Sequence, residues 1–102
     1  MATLPKYAFL NGEIRPYEDS KVGLLTHALH YGTAVFGGLR GYWNEAEEQM
    51  FVFRPRDHFK RVRNSARLLL MNIPFEDEFL VQSVSELIRK ENYQTDCYIR
   101  PL

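Results

Sequence analysis

The chain has little cysteine, no excess charge of either sign and no long apolar run, and each shortage removes a class of protein. The single cysteine, Cys97, excludes an internal disulfide and leaves no C-x-x-C pair for a zinc or thioredoxin-like site. A reducing cytoplasm is the compartment this fits. Thirteen basic and thirteen acidic residues cancel, so no overall field draws the protein to nucleic acid or to an anionic membrane. Apolar runs such as Leu68–Met71 are far too short to cross a bilayer, and the N-terminal stretch around Lys6 has no apolar core of a signal peptide. Neither G-x-G-x-x-G nor G-x-x-x-x-G-K occurs, which excludes the usual phosphate-cradling loops. A soluble, cytoplasmic protein is expected.

What remains is material for one packed unit. The 102 residues are 45% hydrophobic and 14% aromatic, enough for a core in a single domain, 1–102. Asn11-Gly12 inside "YAFLNGEIRP" predicts a β-hairpin over Tyr7–Pro16, because both central residues of a type I′ turn need positive φ. A polar loop over 17–26 follows, and Thr26 is placed to cap a helical turn through His27–His30. β-Branched and aromatic residues from Thr33 to Trp43 predict a strand, with "QMFVF" at 49–53 as its antiparallel neighbour after the polar "NEAEE" turn. Pro55, Asp57 and the apolar series Phe59, Val62, Ala66, Leu69 predict a helix running to about Asn72. A second helix is expected beyond Pro74, with Glu76, Asp77 and Glu78 at its positive end and Leu80, Val84, Leu87 and Ile88 as its stripe. "DCYIRPL" begins a strand by composition and stops without a turn, which predicts an incomplete domain. The order of elements is that of an α+β fold, an antiparallel sheet with two helices.

The stretch "HALHYGTAVFGGLRGYW" (27–43) mixes bulky rings with four glycines around Arg40. Glycine weakens any helix or strand it enters, so the mixture implies a backbone lying close to a ligand or to a packed partner. His27 and His30 could face one metal on a helix, but no third ligand has suitable spacing, and no metal is expected. Arg56, Lys60, Arg63 and Arg67 form one basic stripe on the first long helix, read as a solvated face opposite the core. Arg61 falls about 130° from that stripe, on the side of His58, Ser65 and Leu68. An arginine so placed needs an anion, either a phosphate or carboxylate ligand or a structural salt-bridge partner. Arg40 and Arg100 each follow a bulky apolar residue in a predicted strand, and Tyr98 shares a face with Arg100 by the two-residue period. Such a pair can hold a carboxylate; the alternative is an exposed strand face with its polar side chains outward.

Taken together, "FLNGEIRPYEDSKVGLLTHALHYGTAVFGGLRGY", "FVFRPRDHFKRVRNSA" and "CYIRPL" resemble the N-terminal portion of branched-chain amino acid aminotransferases, the fold-type IV pyridoxal-phosphate enzymes. The resemblance runs along essentially the whole chain, with its motifs in the family's order. It implies a small N-terminal α+β domain whose larger C-terminal partner is absent from this sequence. It implies pyridoxal 5'-phosphate as cofactor, with Arg61 on the phosphate. It also implies amino acid and 2-oxo acid substrates met by Phe36, Arg40, Tyr98, Arg100 and Tyr31. By the same carry-over Tyr98 lies near the α-carboxylate, Arg100 takes the distal carboxylate of glutamate, and Phe36 meets the substrate side chain. Tyr31 reaches into the neighbouring subunit's site, which implies a homodimer or higher oligomer.

The reaction implied is transamination between Val, Leu or Ile and 2-oxoglutarate, a lysine moving the proton while the cofactor is the electron sink. None of Lys6, Lys21, Lys60 or Lys90 matches that lysine, so the chain alone is expected to be inactive, with no catalytic residue of its own. The sequence departs from the family's pattern at Gly37, where glutamate is usual. D-amino acid aminotransferase and aminodeoxychorismate lyase are competing members, and a stand-alone nucleic-acid-binding module is the rival from another class. A separated portion of such an enzyme is expected to expose apolar surface and self-associate.

Overall fold

Asn11 (φ 54°) and Gly12 (φ 86°) both take positive φ and close the turn between β1 (Tyr7–Leu10) and β2 (Glu13–Pro16), as the Asn-Gly pair requires. The two strands pair antiparallel, Tyr7 opposite Pro16 and Leu10 opposite Glu13. The structure is a computed structural model and describes residues 4–102. A 3-10 turn at Tyr17–Asp19 leads into the short helix α1 (His27–Tyr31), which Gly32 ends in the left-handed conformation at φ 66°. Thr26 does precede this helix, but it does not cap it. Its hydroxyl donates backward to the Gly23 carbonyl at 2.6 Å.

β3 (Leu39–Asn44) is the central strand of a second, three-stranded sheet, flanked by β4 (Gln49–Val52) and β5 (Cys97–Ile99), both antiparallel to it. The expected single sheet is thus two sheets. The strand anticipated from Thr33 begins only at Leu39, because residues 33–38 have no ladder partner beyond one bond, Gly37 N–H to the Pro101 carbonyl at 3.0 Å. β-Propensity without a neighbour to pair with does not make a strand.

α2 (Pro55–Leu68) starts where its proline predicts and buries Phe59, Val62 and Ala66. It ends four residues before Asn72. Leu70 adopts φ 59°, Leu70 N–H bonds Arg67 O at 3.0 Å and Met71 N–H bonds Ala66 O at 2.9 Å. This is a Schellman end with leucine in the position glycine usually fills. Leu69, assigned to the apolar stripe, is therefore 43% exposed.

α3 (Asp77–Glu91) carries acidic residues at its first turn and Arg89 and Lys90 at its last, both favourable to the helix dipole. Leu39, Phe59, Val84 and Ile88 form the core between the three-stranded sheet and the helices, with Met50, Val52, Leu80 and Ile99 packed around it. The hairpin is fastened to α3 separately, through Phe9 against Phe75 and Phe79 with centroids 6.1 Å apart in both cases. Among the described residues no helix is long and apolar enough to cross a membrane.

The basic stripe on α2 is a solvated face only in part: Lys60 and Arg67 are exposed, whereas Arg56 is exposed but paired and Arg63 is largely covered. Arg56 meets Glu78 in a two-pronged contact at 2.9 Å. Arg63, less than a quarter exposed, donates to Asp77 Oδ1 at 2.8 Å and to the carbonyls of Ile73 and Phe75. The acidic first turn of α3 and the loop before it cover this side of α2. Pairing neighbouring helices removes charge that periodicity alone assigns to water.

Candidate functional site

The Phe36–Gly38 segment crosses the flank of α2 and leaves a cavity of about 80 Å³ against His58, Arg61, Val62 and Ser65. By the measure in which one water needs about 10–15 Å³, it admits a few water-sized groups. The predicted helix phase is correct for Arg61, His58 and Ser65, which share this cavity, whereas Leu68, expected on the same side, lies outside it and is 86% exposed. The predicted burial is not correct: Arg61 lies exposed at the cavity's edge rather than turned away from water. A larger concavity of about 510 Å³ opens at the far end of the three-stranded sheet, beside Trp43, Met50 and Arg89, and contains none of the predicted residues.

From the cavity, contacts lead to the rest of the predicted set. Phe36 lies under the Arg100 guanidinium, whose carbon is 4.6 Å from the ring centroid, and the same guanidinium is 6.0 Å from the Tyr98 ring. Arg40 is the ladder partner of Tyr98 across β3 and β5, so the two side chains project from one face of the sheet. Tyr31 sits apart, 75% exposed, its ring 4.5 Å from that of His27. Within one chain the structure thus joins Arg61, Phe36, Arg100, Tyr98 and Arg40, and leaves Tyr31 outside the group.

The glycines of the opening stretch now have a physical reason. A Cβ on Gly38 would stand 2.9 Å from Tyr98 Cε2 and closer still to its hydroxyl; one on Gly37 would stand 2.8 Å from Val62 Cγ2; one on Gly41 would stand 2.9 Å from Cys97 Sγ. Each glycine admits a side chain from a neighbouring element into contact with the backbone. The cavity-lining part played by Gly37, Gly38 and Val62 went unnamed at the level of sequence, where the only signal was glycine in a run of rings.

Among the described residues the ion pairs of the arginines are Arg15–Glu13, Arg54–Asp57, Arg56–Glu78 and Arg63–Asp77. Arg40, Arg61 and Arg100 take part in none of them. No group of three or more His, Cys, Asp or Glu side chains that could hold a metal occurs among those residues. Behind the sheet, burial pushes the half-buried Cys97 thiol above its ordinary range, with the nearby Asp96 charge adding to it and a Gly41 backbone hydrogen bond opposing.

An α+β unit with unpaired arginines set among aromatic rings beside β3, β5 and the flank of α2 matches, in fold, crystal structures of pyridoxal-phosphate aminotransferases. The relatives are specific. The chain is 42% identical over 96 residues to a probable branched-chain-amino-acid aminotransferase of Aquifex aeolicus, covering 94% of this chain and 31% of that protein. It is 42% identical, with 30% of the relative covered, to the branched-chain-amino-acid aminotransferase of Salmonella typhimurium.

In three dimensions it superposes on the branched-chain aminotransferase of Thermoproteus uzoniensis with norvaline, at TM-score 0.88 and 38% identity over 94% of this chain and 32% of that one. The Thermobaculum terrenum enzyme in its PLP form matches at TM-score 0.85 and 40% identity, again over 94% of this chain and 31% of that one. The chain spans about a third of the length of these relatives. No family model matches it.

Proposed function

We propose that this chain is the smaller, substrate-facing domain of a pyridoxal-phosphate-dependent branched-chain aminotransferase that exchanges amino groups between Val, Leu or Ile and 2-oxoglutarate. The observation that carries the reading is the grouping of Arg40, Arg61 and Arg100, none of them ion-paired among the described residues, around apolar rings and one small cavity. Anionic ligands with an apolar side chain need that combination.

The residues present fit the cofactor's phosphate. The cavity at Arg61 offers a guanidinium, the Ser65 hydroxyl and His58, and its lining contains no carboxylate to repel an anion. Arg61 would hold the phosphate as a fork, and the bound cofactor would supply an electron sink for the substrate α-carbon. Arg100, kept in place by Phe36 and Tyr98, would take the distal carboxylate of glutamate, with Arg40 adding positive charge and Tyr98 standing near the α-carboxylate. Phe36 gives the branched side chain an apolar wall and excludes water from it. At Gly37, which carries no side chain where the family has glutamate, Val62 packs onto the bare backbone in the place a Cβ would take.

Lys6, Lys21, Lys60 and Lys90 are all exposed, and none lines the cavity. The proton-moving lysine is therefore assigned to the length of the relatives that this chain does not span, and the chain by itself to an inactive state. Tyr31, exposed and in contact with none of the other five residues, is assigned to the site of a second subunit in a homodimer. A lone, half-buried cysteine suits a cytoplasmic setting. The nucleic-acid reading is weakened because Glu78 and Asp77 pair Arg56 and Arg63, two of the four cations of the α2 stripe.

The test is amino transfer by the protein that carries this segment, supplied with pyridoxal 5'-phosphate, from L-leucine, L-isoleucine and L-valine to 2-oxoglutarate. Glutamate formation with all three is expected. Turnover confined to D-alanine, or release of an aromatic amine with pyruvate, would replace the proposal with one of the other class IV activities.

A further inference from the structure

The two histidines of "HALHYG" close the segment that carries Tyr31 onto itself. His30 Nε2 lies 2.8 Å from the Leu24 carbonyl, which can only accept, so Nε2 carries the proton and donates. His27 Nδ1 bonds the Thr33 hydroxyl, and the His27 ring packs on Tyr31 at 4.5 Å. The first tie spans residues 24–30 and the second 27–33; they overlap, so together they brace the whole turn from Leu24 to Thr33. Among the described residues nothing else does so with comparable reach. α1 contains no buried residue, Leu24, Leu25 and Leu29 are 62–87% exposed, and the remaining bonds of the segment, such as Thr26 to Gly23 and Gly32 to Ala28, are local.

We infer that His27 and His30 are positioning residues that fix the direction of Tyr31 before it meets a substrate. This rests on the aminotransferase reading given above, and it assigns the histidines a role that is neither metal ligation nor proton transfer to substrate. An exposed five-residue helix is far below the length that is stable alone. A side chain at its end has a defined direction only if the loop is tied, and preorganisation of that kind lowers the ordering cost of binding. His27 acts on Tyr31 chiefly through the ring contact at 4.5 Å, whereas His30, whose ring lies farther from Tyr31 at 6.3 Å, acts chiefly through the backbone of Leu24.

The experiment uses the aminotransferase that carries this segment and four variants, His27→Ala, His27→Asn, His30→Ala and His30→Gln. Gln at 30 can place an amide N–H near the former Nε2 position, and Asn at 27 can restore the bond to Thr33 but not the ring. The alanine variants are expected to raise KM for the branched-chain amino acid by about tenfold, the scale of one lost hydrogen bond, with the affinity for pyridoxal 5'-phosphate unchanged. His30→Gln is expected to return KM to within about twofold of the parent and His27→Asn to recover only part of the loss, for want of the stacking contact.

Amide hydrogen exchange of residues 25–33, followed in the same proteins, should quicken in both alanine variants and slow again in His30→Gln. Unchanged exchange in the alanine variants overturns the inference, as does quickened exchange with unchanged KM. If the parent enzyme turns over no branched-chain amino acid, the aminotransferase reading fails instead, and the exchange data still decide whether the histidines tie the loop.

Discussion

Two halves of this molecule are held in opposite ways. From Leu39 onward, a sheet and two helices enclose Leu39, Phe59, Val84 and Ile88, and even charges are consumed internally, Arg63 by Asp77 and two carbonyls. From Leu24 to Phe36 the backbone is tied only to itself and its large side chains face outward, Leu25 at 87%, Tyr31 at 75% and Phe36 at 62% exposure. Stability resides in the first half. The second spends its apolar and aromatic residues on surfaces meant to be met by something else. The arginines show part of the same contrast: Arg56 and Arg63 pair with carboxylates of α3, whereas, among the described residues, Arg40 and Arg100 beside the rings and Arg61 at the cavity edge take part in no ion pair, nor do Arg67 and Arg89 elsewhere.

The largest effect should come from emptying the packed half. Leu39→Ala removes a side chain with no exposure and is expected to cost about 2–5 kcal/mol in urea unfolding. Leu25→Ala should stay within about 0.5 kcal/mol. Equal effects would erase the contrast between the halves. Arg63→Ala, which strands Asp77 and the carbonyls of Ile73 and Phe75, should lose about 2 kcal/mol. Arg61→Ala should leave stability unchanged.

A smaller effect is expected where the halves touch. Gly38→Ala forces a Cβ into the Tyr98 ring and should cost about 1–3 kcal/mol, with a larger KM for 2-oxo acids as Tyr98 and Arg100 shift together. The smallest effect concerns alkaline pH. Burial pushes both the Cys97 thiol and the Tyr93 phenol up, the latter helped by the Glu91 carboxylate. The folded state therefore favours their neutral forms. This contribution is complete below the ordinary thiol range, about pH 8.5, and is lost as pH rises through the raised values. Cys97→Ala should flatten the alkaline limb of a stability–pH curve, and an unchanged limb would remove the thiol from the account.

The sequence was most legible where one residue type enforces one geometry. Asn11-Gly12 announced the hairpin, Pro55 the start of α2, and the phase of Arg61, His58 and Ser65 their shared cavity. It misled where the deciding partner was remote. The leucines after Arg67 look like more helix, yet Leu70 enters the left-handed region and closes the helix with backbone bonds alone. Residues 33–38 have strand composition but no strand beside them. Arg63 looks solvated until α3 arrives. The phase of α2 sets Arg61 on the correct side of its helix but overstates its burial, because periodicity reports direction and not depth.

The proposed site turns on Arg61 gripping a phosphoryl group. Its most direct measurement compares the affinity of the full protein for pyridoxal 5'-phosphate and for pyridoxal, with Arg61 and with Arg61→Ala. The expected result is a strong preference for the phosphorylated form that falls by about 10- to 100-fold in the variant, as loss of a charge-assisted fork demands, while the affinity for pyridoxal stays the same. An undiminished preference in Arg61→Ala would show that another group holds the phosphate, and would contradict the account.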